Sequence, residues 1–324
     1  MGNYARAADA VFAHLTDLHL PILAKPDWTT LMNKRLLGYL SWRRKRKDRH
    51  KLSALEAVAA EIRKDKPAAA LITGDIVNIA LPEEFRDAER WLEQWLSEVD
   101  TAYAPGNHDT YVAAPWDDTI GLLQRHMIGR RRDDSTLRAP QDASDFPYVQ
   151  TYGSKTDNSA SIAVIAANSS PPTAPGLASG ALGQAQIDRI EASLESAGKH
   201  GQFRILLLHH PLNDQVVSER KALRDRRTLQ QAISRAGVEL VLHGHAHVSL
   251  VNEVATPTGN APVLGGGSAS HPRAEGRYRS ARYNRIAITR EADAWSIVSD
   301  IRELDPAAKK LATVQTLTFK RPLL

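Results

Sequence analysis

Five short groups of polar residues in this chain carry side chains that bind metal ions well. They are Asp17-Leu18-His19, Gly74-Asp75, Gly106-Asn107-His108-Asp109, His209-His210 and Gly244-His245-Ala246-His247. Carboxylate, imidazole and amide donors together suit manganese, iron, zinc, cobalt or nickel better than magnesium in an all-oxygen site. The chain has no cysteine, which excludes disulfides, thiolate metal sites and a cysteine nucleophile. Glycine precedes Asp75, Asn107 and His245, where a bulkier residue is expected to displace the ligand.

Each group follows an apolar segment that is typical of a buried strand. These segments are 11–16, 68–73, 101–104, 204–208 and 238–242. Ligands of α/β sheets lie beyond the carboxyl ends of the strands, so all five groups are expected in one place. One residue separates Asp17 from His19 and His245 from His247, and an extended backbone would turn both members of each pair to the same side.

Helical periodicity fills the intervals between these strands. The predicted helices are 52–64, 82–99, 183–197 and 228–236, and the alternation predicts an α/β layered fold. The last third shows further strand patterns at 249–254, 262–264, 284–289, 295–301 and 314–319, which predict a second sheet. Stretches 133–147, 169–180 and 265–282 are rich in Gly, Pro, Ser and charge, and are predicted to be surface loops.

Length and composition set the class of protein. A chain of 324 residues with 42% hydrophobic content can bury a large core, and we expect one domain over residues 1–324. The 42 Lys and Arg residues exceed the 37 Asp and Glu residues, giving a net charge of +5 that favours anionic partners. No run of about 18 apolar residues occurs, and the first ten residues lack the apolar stretch of a signal peptide, so we expect a cytoplasmic location.

Residues 26–51 form a segment that is both apolar and strongly basic. Its apolar residues approximate one helical face, with Asp27 as a candidate N-cap: Trp28, Leu31, Met32, Leu36, Tyr39 and Leu40. Nine Lys and Arg residues lie between positions 34 and 51 against the single acid Asp48, and Arg130, Arg131 and Arg132 are a candidate extension of this charge.

Three interpretations of this segment are open. It is a helix packed on the core beside solvated charges, a cap over the site, or part of a nucleic-acid groove. A cap would attract an anionic phosphoester substrate or rest on an anionic membrane surface through residues 28–51. The chain shows no regular interleaving of aromatic residues for base stacking, which argues against nucleic acid as a partner.

In their order along the chain, the five groups resemble the motifs of the calcineurin-like metallophosphoesterase superfamily. That pattern runs Asp-x-His, Gly-Asp, Gly-Asn-His-Asp/Glu, His and Gly-His-x-His, and every block is present between positions 17 and 247. The resemblance implies an α/β fold, a four-layer αββα sandwich of two mixed β-sheets flanked by helices, with a dimetal site at the strand C-terminal ends. It implies two transition-metal ions, with manganese, iron and zinc as the leading candidates.

The resemblance also distributes the ligands between the two metals. It assigns Asp17, His19 and His247 to one ion, Asn107, His209 and His245 to the other, and Asp75 as the bridge between them. His210, beside His209, is left as a candidate neighbour of the ligands. Each imidazole ligand is expected to donate its other ring N–H to a carboxylate or carbonyl.

The chemistry implied is hydrolysis of a phosphodiester or a pyrophosphate. Two metals about 3.5–4 Å apart can lower the pKa of a bridging water and stabilise an in-line displacement by the resulting hydroxide. His108 is then expected near the leaving oxygen, as a general acid or as a stabilising imidazolium, and Asp109 is expected to orient it.

The substrate leaves alternatives open. The segment 26–51 looks like the caps of the UDP-diacylglucosamine pyrophosphohydrolases of lipid A synthesis, which are peripheral membrane enzymes, and this favours the inner face of the membrane as an alternative location. The core also resembles bacterial cyclic-nucleotide and glycerophosphodiester phosphodiesterases. A non-catalytic scaffold on the same fold is the alternative of another class, and the complete ligand set argues against it.

Overall fold

A computed structural model of the chain describes residues 8–22, 26–128, 138–153 and 161–323. The candidate extension Arg130, Arg131 and Arg132 lies outside these residues. The strands are β1 (Ala10–Leu15), β2 (Ala69–Ile72), β3 (Asp100–Tyr103), β4 (Tyr148–Tyr152), β5 (Ile162–Ala166), β6 (Phe203–Leu207), β7 (Leu240–His243), β8 (Leu250–Thr256), β9 (Gly259–Gly265), β10 (Arg282–Arg290), β11 (Ala294–Asp305) and β12 (Lys310–Pro322). The α-helices are α1 (Trp28–Leu31), α2 (Lys34–Ser41), α3 (Leu52–Asp65), α4 (Pro82–Leu96), α5 (Gln184–Lys199) and α6 (Arg226–Ala236).

The strands form two mixed sheets of six strands each. The first has the order β12-β11-β10-β1-β2-β3 and the second the order β4-β5-β6-β7-β9-β8. In the first sheet β1, β2 and β3 are parallel, while β10 is antiparallel to β1. In the second sheet β5, β6, β7 and β9 are parallel. Parallel neighbours end on the same side, so the motif after each of these strands is delivered to one edge of its sheet.

Because successive side chains of a strand point to opposite faces, the second sheet has a hydrophobic cluster on each face. Ile162 and Val164 of β5 belong to the core shared with the first sheet, whereas Ile165 packs in a separate cluster with residues of α5 and α6. Phe12 of β1 also meets Tyr152 of β4 edge to face, with ring centroids 5.4 Å apart. Residues of α3 and α4 belong to the shared core as well. The predicted α/β fold of two mixed sheets flanked by helices is therefore confirmed.

The predicted second sheet is present, but its composition differs from what the strand pattern indicates. The strands of the last third are divided between the two sheets, because β10, β11 and β12 extend the first sheet beside β1 while β8 and β9 complete the second. The strands β4 and β5 were not predicted, although β5 has the sequence IAVIA of a fully buried strand. Local patterns indicate that a segment is extended, but the strand it pairs with depends on residues far along the chain.

The segment 26–51 folds as two short helices and a π-helical turn (Trp42–Arg46) rather than one amphipathic helix. The Asn33 side chain accepts a hydrogen bond from the Arg35 N–H and begins α2, whereas Asp27 makes no side-chain cap. This break divides the predicted apolar face. Leu31 is buried in a cluster with Ile79 and Leu81, while Trp28 and Met32 are 74% and 81% exposed. Among the described residues, the helices are too short or too polar to span a bilayer.

Candidate metal centre

The ends of β1 and β2 continue side by side past the sheet and carry the first two motifs. The Asp17 N–H donates to the Gly74 carbonyl at 3.0 Å, and the His19 N–H donates to the Asp75 carbonyl at 2.9 Å. In the second sheet, the Gly244 N–H donates to the His209 carbonyl at 3.1 Å. Backbone pairing thus continues into the motifs and fixes their relative positions.

The paired ligands converge through left-handed residues, not through the extended backbone that the spacing predicts. The φ angles are 52° at Asp17, 44° at His19, 54° at Asp75, 68° at His245 and 57° at His247. Non-glycine residues adopt this region at a cost of about 1–3 kcal/mol each and cluster where function requires it. The pairs still face one cavity, but each reaches it from a sharp turn.

Two glycines make the close approach of the motifs possible. A Cβ atom at Gly106 would meet the backbone nitrogen and the carboxylate of Asp75. A Cβ atom at Gly244 would meet the Thr16 hydroxyl and, at 2.9 Å, Oδ2 of Asp17. The neighbours are backbone or buried side chains with no room to move, so alanine is expected to displace Asp75 or Asp17.

We expect Gly106→Ala to lower the metal content by displacing Asp75. Activity should fall by about 10–100-fold, the usual effect of disturbing the surroundings of a metal ligand. Metal analysis of the purified variant tests this, with Gly198→Ala inside α5 as the matched control. Full metal content in Gly106→Ala would contradict the close-packing argument.

Candidate donor atoms gather in two groups that share Asp75. Asp17, His19, Asp75 and His247 form one group, and Asp75, His209 and His245 form the other, with the donor atoms of each group within 4.8 Å of one another. Oδ2 of Asp75 lies 3.8 Å from His19 Nε2 and 3.4 Å from His209 Nε2. Asn107 Oδ1 lies 3.3 Å from His209 Nε2, beside the second group. This division coincides with the two predicted ligand sets, whose roles stay predictions.

Unsatisfied buried atoms show that the donor set fits cations. His19 Nε2 is fully buried and makes no hydrogen bond to any described residue, and the buried Asp17 Oδ1 has another candidate ligand, His247 Nε2, at 3.1 Å. The His19 Nδ1–H points to the Val77 carbonyl at 3.3 Å, and the His209 Nδ1–H donates to the Thr73 carbonyl at 2.7 Å, which turns both Nε2 atoms toward the other candidate ligands. Buried acceptors without donors are costly, and a metal ion would satisfy them.

His209 and its neighbour His210 have different surroundings. Burial opposes a charge on His209, but the Asp75 and Asp17 carboxylates raise its pKa to about 9, so a bound metal would take the place of a proton. His210 has both ring nitrogens engaged, with Ser169 Oγ at 2.9 Å and the Ala178 carbonyl at 3.1 Å. Of the two histidines, the structure therefore brings only His209 into the donor groups.

Asp109 holds the Asp75 turn and does not orient His108, contrary to the sequence-based expectation. Its Oδ2 accepts the N–H groups of Asp75 and Gly106, both at 2.8 Å. Its Oδ1 accepts those of Ile76 at 2.9 Å and Val77 at 3.1 Å. Burial and the nearby Asp75 carboxylate raise the pKa of Asp109 to about 7. Four backbone donors nevertheless match an ionised carboxylate.

We expect Asp109→Asn to weaken metal binding while leaving the fold intact. The new NH₂ group would face two backbone N–H donors, so two hydrogen bonds that shape the Asp75 turn are lost. Affinity for the metals should fall by about 10–100-fold. Titration of metal-free protein with Zn²⁺ measures this, and the exposed Asp117→Asn is the control. Unchanged affinity would show that the turn keeps its shape without Asp109.

His108 lies beside Asp75 with both ring nitrogens engaged. Its backbone N–H donates to Asp75 Oδ1 at 2.8 Å, and its Nδ1–H donates to the Asn78 carbonyl. Arg46 Nη1 lies 2.8 Å from Nε2 and 3.1 Å from Nδ1. Burial and the Arg46 charge lower the pKa of His108 to about 3. In this arrangement the imidazole is neutral, so action as a general acid requires Nε2 to leave Arg46 and gain a proton.

Three residues of the site were not singled out from the sequence. Arg46 and His50 come from the segment 26–51, and His271 comes from a predicted surface loop. His50 can join His19 and His247 in a third, overlapping donor group, and its Nδ1 pairs with Ser270 Oγ at 2.7 Å. These three residues are hard to identify from the sequence. Arg46 is one of nine basic residues in its segment, and His50 and His271 are isolated histidines that belong to no motif.

A cavity of about 710 Å³ opens over these groups. Its lining contains Asp75, Asn107 and His108 together with four basic residues from three other segments: Arg46, Arg49, Lys221 and Arg277. Asp75 is the only carboxylate among its described lining residues. A cavity with this charge attracts anions to the donor groups.

Comparisons with known proteins agree with this geometry. A family model described as calcineurin-like phosphoesterase matches residues 10–249. A dimetal phosphatase from Danio rerio has a TM-score of 0.56 and 14% identity, covering 96% of this chain and 98% of that chain. The purple acid phosphatase PPD1 from yellow lupin seeds has a TM-score of 0.53 and 11% identity, covering 95% of this chain and 53% of that chain. Such identities show a shared fold, and no curated protein sequence matches the chain.

Proposed function

The chain belongs to the calcineurin-like phosphoesterase family, because that family's model matches residues 10–249, and from this premise we propose that it hydrolyses phosphodiester or pyrophosphate bonds with two transition-metal ions. The family supports a metal-dependent phosphoesterase. The observation that carries the proposal is the pair of donor groups that share Asp75. Carboxylate, imidazole and amide donors favour manganese, iron or zinc as the ions.

The residues of the chain have separate tasks in this proposal. Asp17, His19 and His247 would hold one ion and Asn107, His209 and His245 the other, with Asp75 between them. When bound, two such ions lower the pKa of water and offset the charge of a phosphoryl group. The cavity walls orient the ester, and the basic residues of its lining draw the anion in.

Metal reconstitution tests the proposal. Protein stripped of metal receives Mn²⁺, Fe²⁺, Zn²⁺, Co²⁺, Ni²⁺ or Mg²⁺ in turn, and is assayed on p-nitrophenyl phosphate, bis(p-nitrophenyl) phosphate and UDP-N-acetylglucosamine. These probes represent a monoester, a diester and a pyrophosphate. Metal-restored turnover of the diester or the pyrophosphate, absent from Asp75→Asn, is the expected result. Turnover of the monoester alone would contradict it, and failure to bind metal would favour a scaffold.

A second candidate substrate is a UDP-diacylglucosamine-type lipid A precursor, taken at a membrane surface. The observation that favours it is the exposure of Trp28, Met32 and Leu37, the last 59% exposed, in the same segment 26–51 as the exposed Arg43 and Arg44. Apolar and basic side chains together favour contact with anionic lipid. If this candidate is correct, the protein hydrolyses the lipid A precursor but does not hydrolyse UDP-N-acetylglucosamine.

Vesicle binding tests the membrane contact. We expect the protein to sediment with vesicles of phosphatidylglycerol and phosphatidylcholine and not with phosphatidylcholine alone. A Trp28→Ser, Met32→Ser, Leu37→Ser variant should bind about 10-fold more weakly or worse while still hydrolysing a soluble diester. Val251→Ser with Val314→Ser, two exposed apolar residues of β8 and β12, is the control. Equal binding of both variants would exclude this surface.

A further inference from the structure

The π-helical turn Trp42–Arg46 ends with Arg46 at the wall of the cavity. The Lys47 N–H donates to the Trp42 carbonyl at 2.9 Å, which closes the wide turn. The Arg46 carbonyl then accepts the N–H groups of Arg49 at 2.9 Å and His50 at 3.2 Å, so the chain bends sharply here. Such π turns often occur at functional sites. This one directs Arg46 inward, while Arg44 and Lys47 of the same basic run are exposed.

Arg46 has no carboxylate partner among the described residues, although its side chain is largely withdrawn from water. Other buried arginines are satisfied locally. Arg204 pairs with Glu239 at 2.6 Å, and Arg35 donates to the Ile79 carbonyl at 3.1 Å. A guanidinium withdrawn from water without an anion is costly. Its place in a cavity next to Asp75 therefore points to an anionic ligand.

His108 is built to hold this guanidinium in place. Its Nδ1–H is fixed on the Asn78 carbonyl, and Arg46 Nη1 contacts the ring at 2.8 Å from Nε2 and 3.1 Å from Nδ1. Tyr111 stacks on the ring, with centroids 5.7 Å apart and an angle of 11°. The imidazole therefore cannot swing away easily, and it keeps Arg46 beside the candidate metal ligands.

We propose that Arg46 binds a non-bridging oxygen of the phosphoryl group and that His108 is the positioning residue of Arg46. A guanidinium is always charged and presents several N–H donors in one plane, which match phosphate oxygens. It would offset the charge that gathers on the equatorial oxygens during displacement. The inference rests on the proposed phosphoesterase function.

Vanadate and orthophosphate binding test Arg46 without requiring turnover. Calorimetry on zinc-loaded protein compares wild type, Arg46→Ala and Arg46→Lys with Arg44→Ala, an exposed arginine of the same turn. We expect Arg46→Ala to bind both anions about 10–100-fold more weakly at unchanged zinc content, Arg46→Lys to be intermediate, and Arg44→Ala to match wild type. Wild-type anion affinity in Arg46→Ala would overturn the role. If Arg46→Ala loses zinc, Arg46→Lys decides alone, because it keeps the charge.

Turnover then separates a phosphate contact from a structural role. Millimolar guanidinium should partly restore Arg46→Ala, which it could not do for a misfolded site. His108→Gln, whose amide oxygen can accept from Arg46, should keep more activity than His108→Ala, and the Arg46→Ala, His108→Ala double variant should lose no more than Arg46→Ala. Additive losses would overturn the positioning role of His108. A wild-type protein that binds vanadate through Arg46 but cleaves no ester would refute the proposed function and leave this contact standing.

Discussion

Asp75→Asn is expected to abolish nearly all hydrolysis, by more than about 10³-fold, together with most of the bound metal. Asp75 is the one residue common to both donor groups, with Oδ2 within 4 Å of both His19 and His209. Asparagine keeps the shape of the side chain but removes its charge. It can still offer one oxygen, but not to two cations.

Metal analysis and diester hydrolysis on the same preparation measure this effect. Asp117→Asn, an exposed carboxylate in a 3₁₀ turn, should retain both properties. Two equivalents of metal and normal turnover in Asp75→Asn would mean that the ions do not share this residue, and the dimetal proposal would fail.

His108→Ala is expected to keep the metal and lose about 10²–10⁴-fold in rate. The contact of His108 with Asp75 uses the backbone N–H, which alanine retains. The side chain instead contacts Arg46. Arg46 lines the cavity and belongs to neither donor group. The loss should therefore appear in turnover and not in metal content.

Metal analysis of Asp75→Asn and His108→Ala side by side distinguishes a residue that binds metal from one that takes part only in the reaction. Equal metal loss in both variants would mean that His108 supports the ligands instead of the reaction. A rate within a few-fold of wild type would remove His108 from the chemistry altogether.

The candidate ligands could be predicted because their positions are local properties of the sequence. Each follows a buried strand directly, and glycine stands before Asp75, Asn107 and His245. The structure brings all seven predicted ligands together: five of them line the cavity, and Asp17 and His209 are buried next to them. Chain order and residue type were sufficient to predict that these residues converge, because backbone hydrogen bonds beyond the strand ends fix the positions of the motifs.

The surroundings of the ligands could not be predicted in the same way. Asp109 binds four backbone N–H groups, three of them more than thirty residues earlier in the chain, and no spacing rule indicates such contacts. Arg46 enters the site from a π turn at the end of α2, a helix that begins at the Asn33 cap, and neither feature was predicted. The positive φ angles of the ligands likewise result from tertiary constraint, which overrides the extended geometry expected locally.

The place of β1 in the middle of its sheet governs when the site can form. Phe12 pairs with Ala69 on one side and with Ile286 on the other, nearly the whole chain away. Ser268 Oγ also donates to the Asp17 carbonyl at 2.8 Å. A nascent chain that ends after His247 would thus contain every candidate ligand and yet leave β1 as an open edge. Because such distant contacts slow folding, the candidate metal centre should form late, after synthesis of β10.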